Sequence, residues 1–289
     1  MIAPQRGSSY ADAMATLTLG KRTVFSLTGN DAVRYLNGQV TQDVRRLLTD
    51  PARALATCVT DAKGRLQALA TLYLIDPQKP EILIESAPVL REMLYARLGR
   101  YLIADDAELA DVSDEWILLH HLGHAPTGQS YAYARLGIAG FDQWVPADVV
   151  VSLEDELTQL ESEKIRIEHG VPAWDVDLQP GMLPQEAGLE ELTLSFQKGC
   201  YIGQEVISRI KSAGKLNRIL RKFHLRNDQV VKGGELLSFA GQDVVGTLTS
   251  VVYPHALGFL QKKGFGQKTF DLRLSDGSIL AQAVDMAEG

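Results

Sequence analysis

The chain has 289 residues, of which 45% are hydrophobic and 22% are charged, and its 29 basic and 36 acidic side chains give a net charge of −7. These proportions predict a globular protein of one large or two moderate domains. An acidic chain is not expected to bind nucleic acid over its whole surface, although a local basic patch is compatible with this charge. The two cysteines, Cys58 and Cys200, exclude a disulfide framework and cannot by themselves complete an iron–sulfur cluster or a zinc ribbon.

The hydropathy pattern contains no membrane or export signal. The first residues lack the apolar core of a signal peptide, and no later stretch approaches the ~18–20 continuous apolar residues of a membrane helix. With two unpaired cysteines, we therefore expect a cytoplasmic protein with no membrane partner.

In chain order, the first part of the sequence alternates strands with helices. A helix is predicted from Ala32, closed by a turn at Asn37-Gly38, and a hairpin turn is predicted at Asp61–Gly64. Another helix carries Leu90, Leu94 and Leu98 on one face, and a third is predicted near Ser152–Ser162. The predicted strands are Thr23–Thr28, Leu55–Val59, Leu66–Ile75, Glu81–Glu85, Trp116–His120, Ala132–Arg135 and Gln143–Pro146.

After about Arg218 the helices disappear and short strands alternate with turn residues. This pattern predicts a small closed barrel or sandwich, and hence an α+β domain over 1–217 followed by a β domain over 218–289. The predicted strands are Arg218–Leu225, Glu235–Phe239, Asp243–Ser250, Ala256–Gln261, Phe270–Leu274 and Ile279–Ala283.

Cys200 is the most chemically suggestive residue. It follows Lys198 and Gly199 and precedes a helix predicted to begin near Gly203. A lysine and a helix N-terminus lower the pKa of a thiol, which would favour a nucleophilic or metal-binding thiolate. The alternative is a buried structural cysteine, because free cysteine is among the most buried residue types.

The same region is strongly basic. From Lys198 to Arg226 there are eight basic residues and one acidic residue, Glu205, so the segment carries +7 in a chain of net −7. This asymmetry predicts an anionic partner such as a polyglutamate tail, a phosphate or an RNA backbone, or else a solvated helix face. The spacing of Glu205 and Arg209 is typical of a surface ion pair on a helix.

Other sequence features exclude common activities. His120, His121 and His124 suggest a metal site, but His120 and His121 would point to opposite faces of a strand and no carboxylate or cysteine lies at ligand spacing nearby. They are expected to be structural or surface residues, and no permanently bound metal is predicted. The chain has no P-loop, no GxGxxG after a strand and no GxSxG elbow, which argues against nucleotide hydrolysis, a Rossmann cofactor and an α/β-hydrolase.

The run Lys198-Gly199-Cys200-Tyr201-Ile202-Gly203-Gln204-Glu205 resembles the K-G-C-[FY]-x-G-Q-E signature of the YgfZ family of folate-binding proteins. Supporting similarities lie along most of the chain. They are at 27–31, 37–44, 61–65, 166–172, 183–187 and 246–250.

The resemblance implies the fold of the glycine-cleavage T-protein, a cloverleaf of mostly antiparallel α+β lobes with a small C-terminal β-barrel. It implies tetrahydrofolate as cofactor and a non-enzymatic accessory role in the assembly or repair of iron–sulfur enzymes, including enzymes that modify tRNA. Cys200 would be the working thiol and Lys198 would tune it. The loop around them would be supported by Gly199, Tyr201, Gly203, Gln204, Glu205 and Arg209, and the candidate folate contacts are Asn37, Gln39, Thr41, Gln185 and Glu186.

Departures from the related enzyme separate the alternatives. Ala68 and Leu69 stand where the T-protein has an aspartate that assists folate chemistry, which disfavours aminomethyl transfer. Arg22 and Ser162 stand where some relatives carry tryptophans that line the folate site. The third alternative is an RNA-binding module, for which the basic segment offers few aromatic residues, Tyr201 and Phe223. A monomer with folate and iron–sulfur enzymes as partners, and without direct DNA contacts, is expected.

Overall fold

Two antiparallel sheets, a closed barrel and six α-helices form the computed structural model, within the residues that it describes: 14–153, 155–226, 234, 236–239, 243–273 and 279–286. Every ladder that pairs two named strands in this part of the chain is antiparallel, as predicted. The helices are α1 (Ala32–Gln39), α2 (Arg46–Thr49), α3 (Arg91–Gly99), α4 (Gln159–Glu168), α5 (Glu190–Thr193) and α6 (Gln204–Ala213).

The first sheet has the strand order β3-β4-β5-β2-β6. The strand Thr23–Thr28 of this sheet is buried on both faces: Phe25 and Leu27 pack in the core that contains α1 and α3, while Val24 packs on the opposite face with Tyr73. The predicted stripe on α3 and the turn before it is part of that core. The strands are β2 (Thr23–Thr28), β3 (Leu55–Thr60), β4 (Leu66–Asp76), β5 (Glu81–Ser86) and β6 (Glu108–Asp111).

The second sheet lies against the outer face of the first. Its strand order is β1-β7-β9-β8, and Tyr131 and Trp144 pack edge-on against Tyr73 of the first sheet at centroid distances of 5.2 and 5.3 Å. The strands are β1 (Ala15–Thr18), β7 (Trp116–Leu122), β8 (Tyr131–Ala132) and β9 (Gly140–Pro146).

The C-terminal strands close into a six-stranded barrel in the order β10-β13-β12-β11-β14-β15, which confirms the predicted barrel. Its interior is filled by apolar side chains that include Phe223, Leu248 and Phe270. The strands are β10 (Arg218–Arg226), β11 (Leu236–Phe239), β12 (Asp243–Val252), β13 (His255–Gln261), β14 (Thr269–Arg273) and β15 (Ile279–Asp285). Two ends of predicted strands, Glu235 and Leu274, lie outside the described residues.

The structure corrects two predicted helix boundaries. Gly38 does not end the first helix but lies inside α1, which continues to Gln39. The helix predicted near Ser152–Ser162 begins later, as α4, because Thr158 and Glu161 form a capping box that fixes its first turn. Glu154, within the predicted span, lies outside the described residues. None of the described helices is both long and apolar enough to cross a membrane.

Candidate functional site

The cysteine motif and the predicted hairpin turn pack directly against each other. Gly203 has φ +90°, and a Cβ built there would lie 2.6 Å from the carbonyl oxygen of Asp61 and 2.8 Å from the Cα of Gly64. The hydroxyl of Thr60 also donates to the carbonyl of Ile202 at 2.7 Å. Only glycine fits at position 203, so the backbone of the motif lies against the tip of the β3–β4 hairpin.

Lys198 is a buried cation that ties the motif to the end of α1. Its Nζ donates to the carbonyl oxygens of Asn37, Val40 and Gln42 at 2.6, 2.8 and 2.7 Å, which uses all three protons of the ammonium group. Burial lowers the pKa of Lys198 to about 7, and nearby Asp43 acts in the opposite direction. The three carbonyl acceptors also favour the charged form, because it alone supplies three N–H groups.

The two cysteines lie in opposite environments. Cys200 is exposed, whereas Cys58 is fully buried in β3, where its Sγ donates to Thr193 Oγ1 at 3.2 Å. Burial raises the pKa of the Cys58 thiol to about 12. Cys200 is therefore the thiol that can meet a partner in solution.

The other residues of the motif support the loop in different ways. Tyr201 is buried with Ile207, and burial raises the pKa of its phenol to about 12. The backbone N–H of Gln204 donates to the carbonyl of Tyr201. Glu205 and Arg209 are both exposed, and among the described contacts they do not form the expected ion pair with each other. Glu205 lies in the first turn of α6, and Arg209 makes no ion pair with another described residue.

A basic cavity of about 820 Å³ lies between α6, the β3–β4 hairpin, the segment 181–186 and the start of the barrel. Glu186 is the one carboxylate among its described lining residues, and it pairs with Arg218 at 3.1 Å. The cations that line the cavity are Lys63, Arg65, Arg209, Arg218, Lys262 and Lys263.

Most of this positive charge is uncompensated. Apart from Arg218, none of the lining cations makes an ion pair with a described residue, and all of these five side chains are exposed. Like charges at close range repel one another, so the arrangement is suited to receiving an anion.

Of the five candidate folate contacts, the structure brings only Glu186 to this cavity. The side chains of Asn37, Thr41 and Gln39 are engaged within the chain, accepting from Val44 N, Cys58 N and Arg97 Nη1 respectively. Gln185 donates to the carbonyl of Ile207, while its Oε1 is buried and has no hydrogen-bond partner among the residues that the structure describes.

The positions that depart from the related enzyme are also structural. Arg22 forms an ion pair with the buried Glu85, and Ser162 donates to the carbonyl of Gln159 within α4. Ala68 packs in the core of the first sheet and Leu69 packs against a cluster shared with the barrel. Neither Arg22 nor Ser162 is among the described residues that line the basic cavity.

Four of the cavity cations were not predicted from the sequence, because they lie outside the basic segment. Lys63 and Arg65 lie in the hairpin turn, and Lys262 and Lys263 lie in the turn after β13. Their local signal is a pair of basic residues in each of two turns. Nothing local shows that the two turns meet, since about 200 residues separate them.

Comparison with known proteins identifies several relatives, although no family model matches the chain. The tRNA-modifying protein YgfZ of Yersinia enterocolitica is 30% identical over 234 residues, which cover 72% of this chain and 70% of that protein. The tRNA-modifying protein YgfZ of Escherichia coli O157:H7 is 29% identical over 249 residues, covering 75% and 74% of the two chains. An uncharacterised protein of Haemophilus influenzae is 27% identical over 250 residues, covering 85% and 87%.

The fold itself has a solved counterpart. The aminomethyltransferase T of the glycine cleavage system from Bartonella henselae superposes with a TM-score of 0.78, covering 95% of this chain and 86% of that one, at 13% sequence identity. This likeness confirms the fold predicted from the sequence.

Proposed function

The chain belongs to the YgfZ family, and on that premise we propose that it is a folate-binding accessory protein that supports tRNA modification by helping to assemble or repair iron–sulfur enzymes. The observation that carries this proposal is the exposed Cys200 on a loop fixed at both ends, by the three hydrogen bonds of Lys198 and by the close packing of Gly203. A thiol held in this way can bind iron after losing its proton to solvent.

The cysteine count shapes the role of this thiol. Cys58 is buried, and a cluster needs more thiolates than Cys200 alone can provide. Any cluster handled by the protein would therefore be shared with a client enzyme or a small thiol. An accessory protein that meets its client transiently fits this arrangement.

The cavity has features that fit tetrahydrofolate. Glu186 is a carboxylate acceptor in the cavity lining, and the aminopyrimidine edge of a pterin carries N–H donors. The α- and γ-carboxylates of the folate glutamate would meet the cavity cations. Bound tetrahydrofolate would supply a reduced pterin able to carry one-carbon units.

The same geometry favours an accessory role over aminomethyl transfer. Proton transfer in such a reaction needs a free carboxylate or another base near the folate. Among the described lining residues, the single carboxylate is Glu186, and Arg218 is bonded to it. Ala68, which with Leu69 stands where the T-protein has its aspartate, is buried and has no ionisable side chain.

The thiol is tested by restoring tRNA modification in cells that lack the protein. Cys200→Ala is expected to lose at least about 90% of the restored modification, while Cys58→Ala, the matched control, keeps it wherever the variant folds. Equal tolerance of both changes would remove Cys200 from the mechanism.

Folate binding is tested separately, by titrating the purified chain with tetrahydrofolate and following its thermal unfolding. Saturable binding should stabilise the chain by about 2.7 kcal/mol at a ligand concentration of 100 times Kd. Glu186→Gln should weaken this effect, and Glu205→Gln, which changes an exposed glutamate outside the cavity lining, should not. A wild-type chain that shows no saturable shift would not be a folate-binding protein.

A further inference from the structure

We propose that the basic cavity binds the sugar–phosphate backbone of RNA, so that tRNA docks on this protein directly and not only on the enzymes that it serves. The choice of RNA as the anion rests on the proposed function, and the choice of the cavity as its binding site rests on the structure.

Positive charge is concentrated at the cavity. Six cations and one carboxylate line it in a chain whose acidic residues outnumber its basic residues by 36 to 29. The cations come from separate parts of the chain, namely the hairpin, α6, the start of β10 and the turn after β13. Folding has therefore collected positive charge at one place against the overall balance of the molecule.

The cavity has more unpaired cations than one folate molecule has carboxylates. Five of the cations have no ion-pair partner among the described residues, whereas a folate monoglutamate offers only its α- and γ-carboxylates. Long exposed lysine and arginine side chains around an open depression are typical of contacts with successive phosphates. A polyanion would neutralise the cluster, and a single folate would leave much of it exposed.

The aromatic residues of the basic segment are not accessible to an RNA base, so the phosphates are the part of the RNA that this site would contact. Tyr201 and Phe223, the aromatics of the basic segment, are 7% and 1% exposed and cannot stack a base. The hairpin that carries Lys63 and Arg65 also packs on Gly203, three residues after Cys200. RNA held in the cavity would thus lie beside the segment that presents the thiol.

The test measures binding of unmodified tRNA to the full chain by fluorescence anisotropy over a range of salt concentrations. Contacts from five cations predict that log K falls with log salt with a slope of about −3.5 to −4.5. The triple variant Lys63→Glu/Arg209→Glu/Lys262→Glu should bind at least about 100-fold more weakly, with a slope reduced by about 2 to 3.

The matched control reverses the same number of charges elsewhere. Lys21→Glu/Lys79→Glu/Lys268→Glu changes three exposed lysines outside the cavity and without ion-pair partners among the described residues. It should keep at least about one third of the wild-type affinity, because screening limits its effect on a distant site. Both variants are compared at equal thermal stability with the wild type.

Three results would overturn the inference: no tRNA binding at low salt, equal loss in the two triple variants, or a cavity variant that loses only polyglutamylated tetrahydrofolate. Different results would separate a failure of the proposed function from a failure of this inference. Cys200→Ala should bind tRNA as the wild type does, and a chain that binds no RNA yet still needs Cys200 in cells would retain the proposed function without this site.

Discussion

The contrast between Cys200 and Cys58 predicts a single reactive thiol in the folded chain. Cys200 is exposed, and Cys58 has no exposed surface and a pKa raised by burial to about 12. A thiol-specific reagent such as DTNB should therefore modify one thiol rapidly in the native protein and the second only after denaturation. Cys200→Ser should abolish the rapid phase and Cys58→Ser should leave it unchanged. Two rapid thiols in the native wild type would contradict this structure.

Replacing Lys198 should lower the free energy of unfolding, an effect that its position two residues before Cys200 does not by itself suggest. Lys198→Met would leave three carbonyl oxygens at the end of α1 without their donor, and two of those contacts are buried. We expect the free energy of unfolding to fall by about 2–3 kcal/mol, measured by urea titration. Lys215→Met removes an exposed lysine of the same segment and should change it by less than about 0.5 kcal/mol. Similar values for the two variants would show that Lys198 does not hold this junction.

At the scale of elements, the packing of the hairpin against the motif predicts that Gly203 and Gly199 differ in their tolerance of substitution. A Cβ at Gly203 would overlap backbone atoms of the hairpin, and its φ is +90°, whereas a Cβ at Gly199 would meet no atom within 4 Å. Gly203→Ala should lower the free energy of unfolding by at least about 2 kcal/mol, while Gly199→Ala should stay within about 0.5 kcal/mol. Thermal and urea unfolding of both variants decide this. A tolerant Gly203→Ala would mean that hairpin and motif do not pack closely.

Local sequence signals predicted these elements but not their junctions. The turn at Asp61–Gly64 and the helix beginning just after Gly203 are both present, because turn residues and helix boundaries act over a few neighbours. The error at Gly38 has the opposite origin. Lys198, about 160 residues away, takes the carbonyl of Asn37 and that of Val40, so the end of α1 is satisfied by a distant side chain instead of a glycine turn.

The same limit applies to the candidate site: its local segments could be identified from the sequence, but the contacts between distant segments could not. The structure shows Cys200 exposed and Arg209 in the cavity lining, whereas the sequence left open whether this thiol is exposed or buried. Cys200 and the basic residues of α6 could be singled out from one continuous segment. The cations from two distant turns could not, because their approach depends on how the barrel packs on the first sheet. The polar residues near position 40, which are candidate folate contacts, make hydrogen bonds within the chain. Polar side chains in turns serve both purposes, and the sequence does not distinguish them.

At the scale of the whole molecule, a buried charged network joins the first and second sheets. Arg135 binds Asp142 at 2.7 Å and Glu85 at 3.2 Å, and Tyr73 OH donates to Asp142 at 2.7 Å. Burial alone would raise the pKa of Asp142, but Arg135 and His120 outweigh it and lower this pKa to about 2. Arg22 and Arg135 lower the pKa of Glu85 in the same way, against its burial.

The network predicts loss of stability in acid. Both carboxyl groups have a lower pKa in the folded chain than their ordinary values of 3.8 and 4.5. Their contribution is therefore complete above those ordinary values and is lost as the pH falls through the folded ones. The free energy of unfolding should decline from about pH 5 towards about pH 2. A profile that is flat over this window would contradict the network.

Tyr73→Phe tests the network with a nearly isosteric change. It removes a hydroxyl that donates to Asp142 and accepts from Arg135 Nη2 at 2.6 Å, and should cost about 1–3 kcal/mol at neutral pH. The cost should shrink as Asp142 is protonated, because the hydrogen bond then loses its charged acceptor. Tyr95→Phe, which removes a hydroxyl from a more exposed tyrosine, should show a small cost that does not change with pH. Urea unfolding of the two variants at about pH 7 and at about pH 1.5, below the folded pKa of Asp142, separates these outcomes, and equal costs for Tyr73→Phe at both values would place the acid-sensitive contact elsewhere.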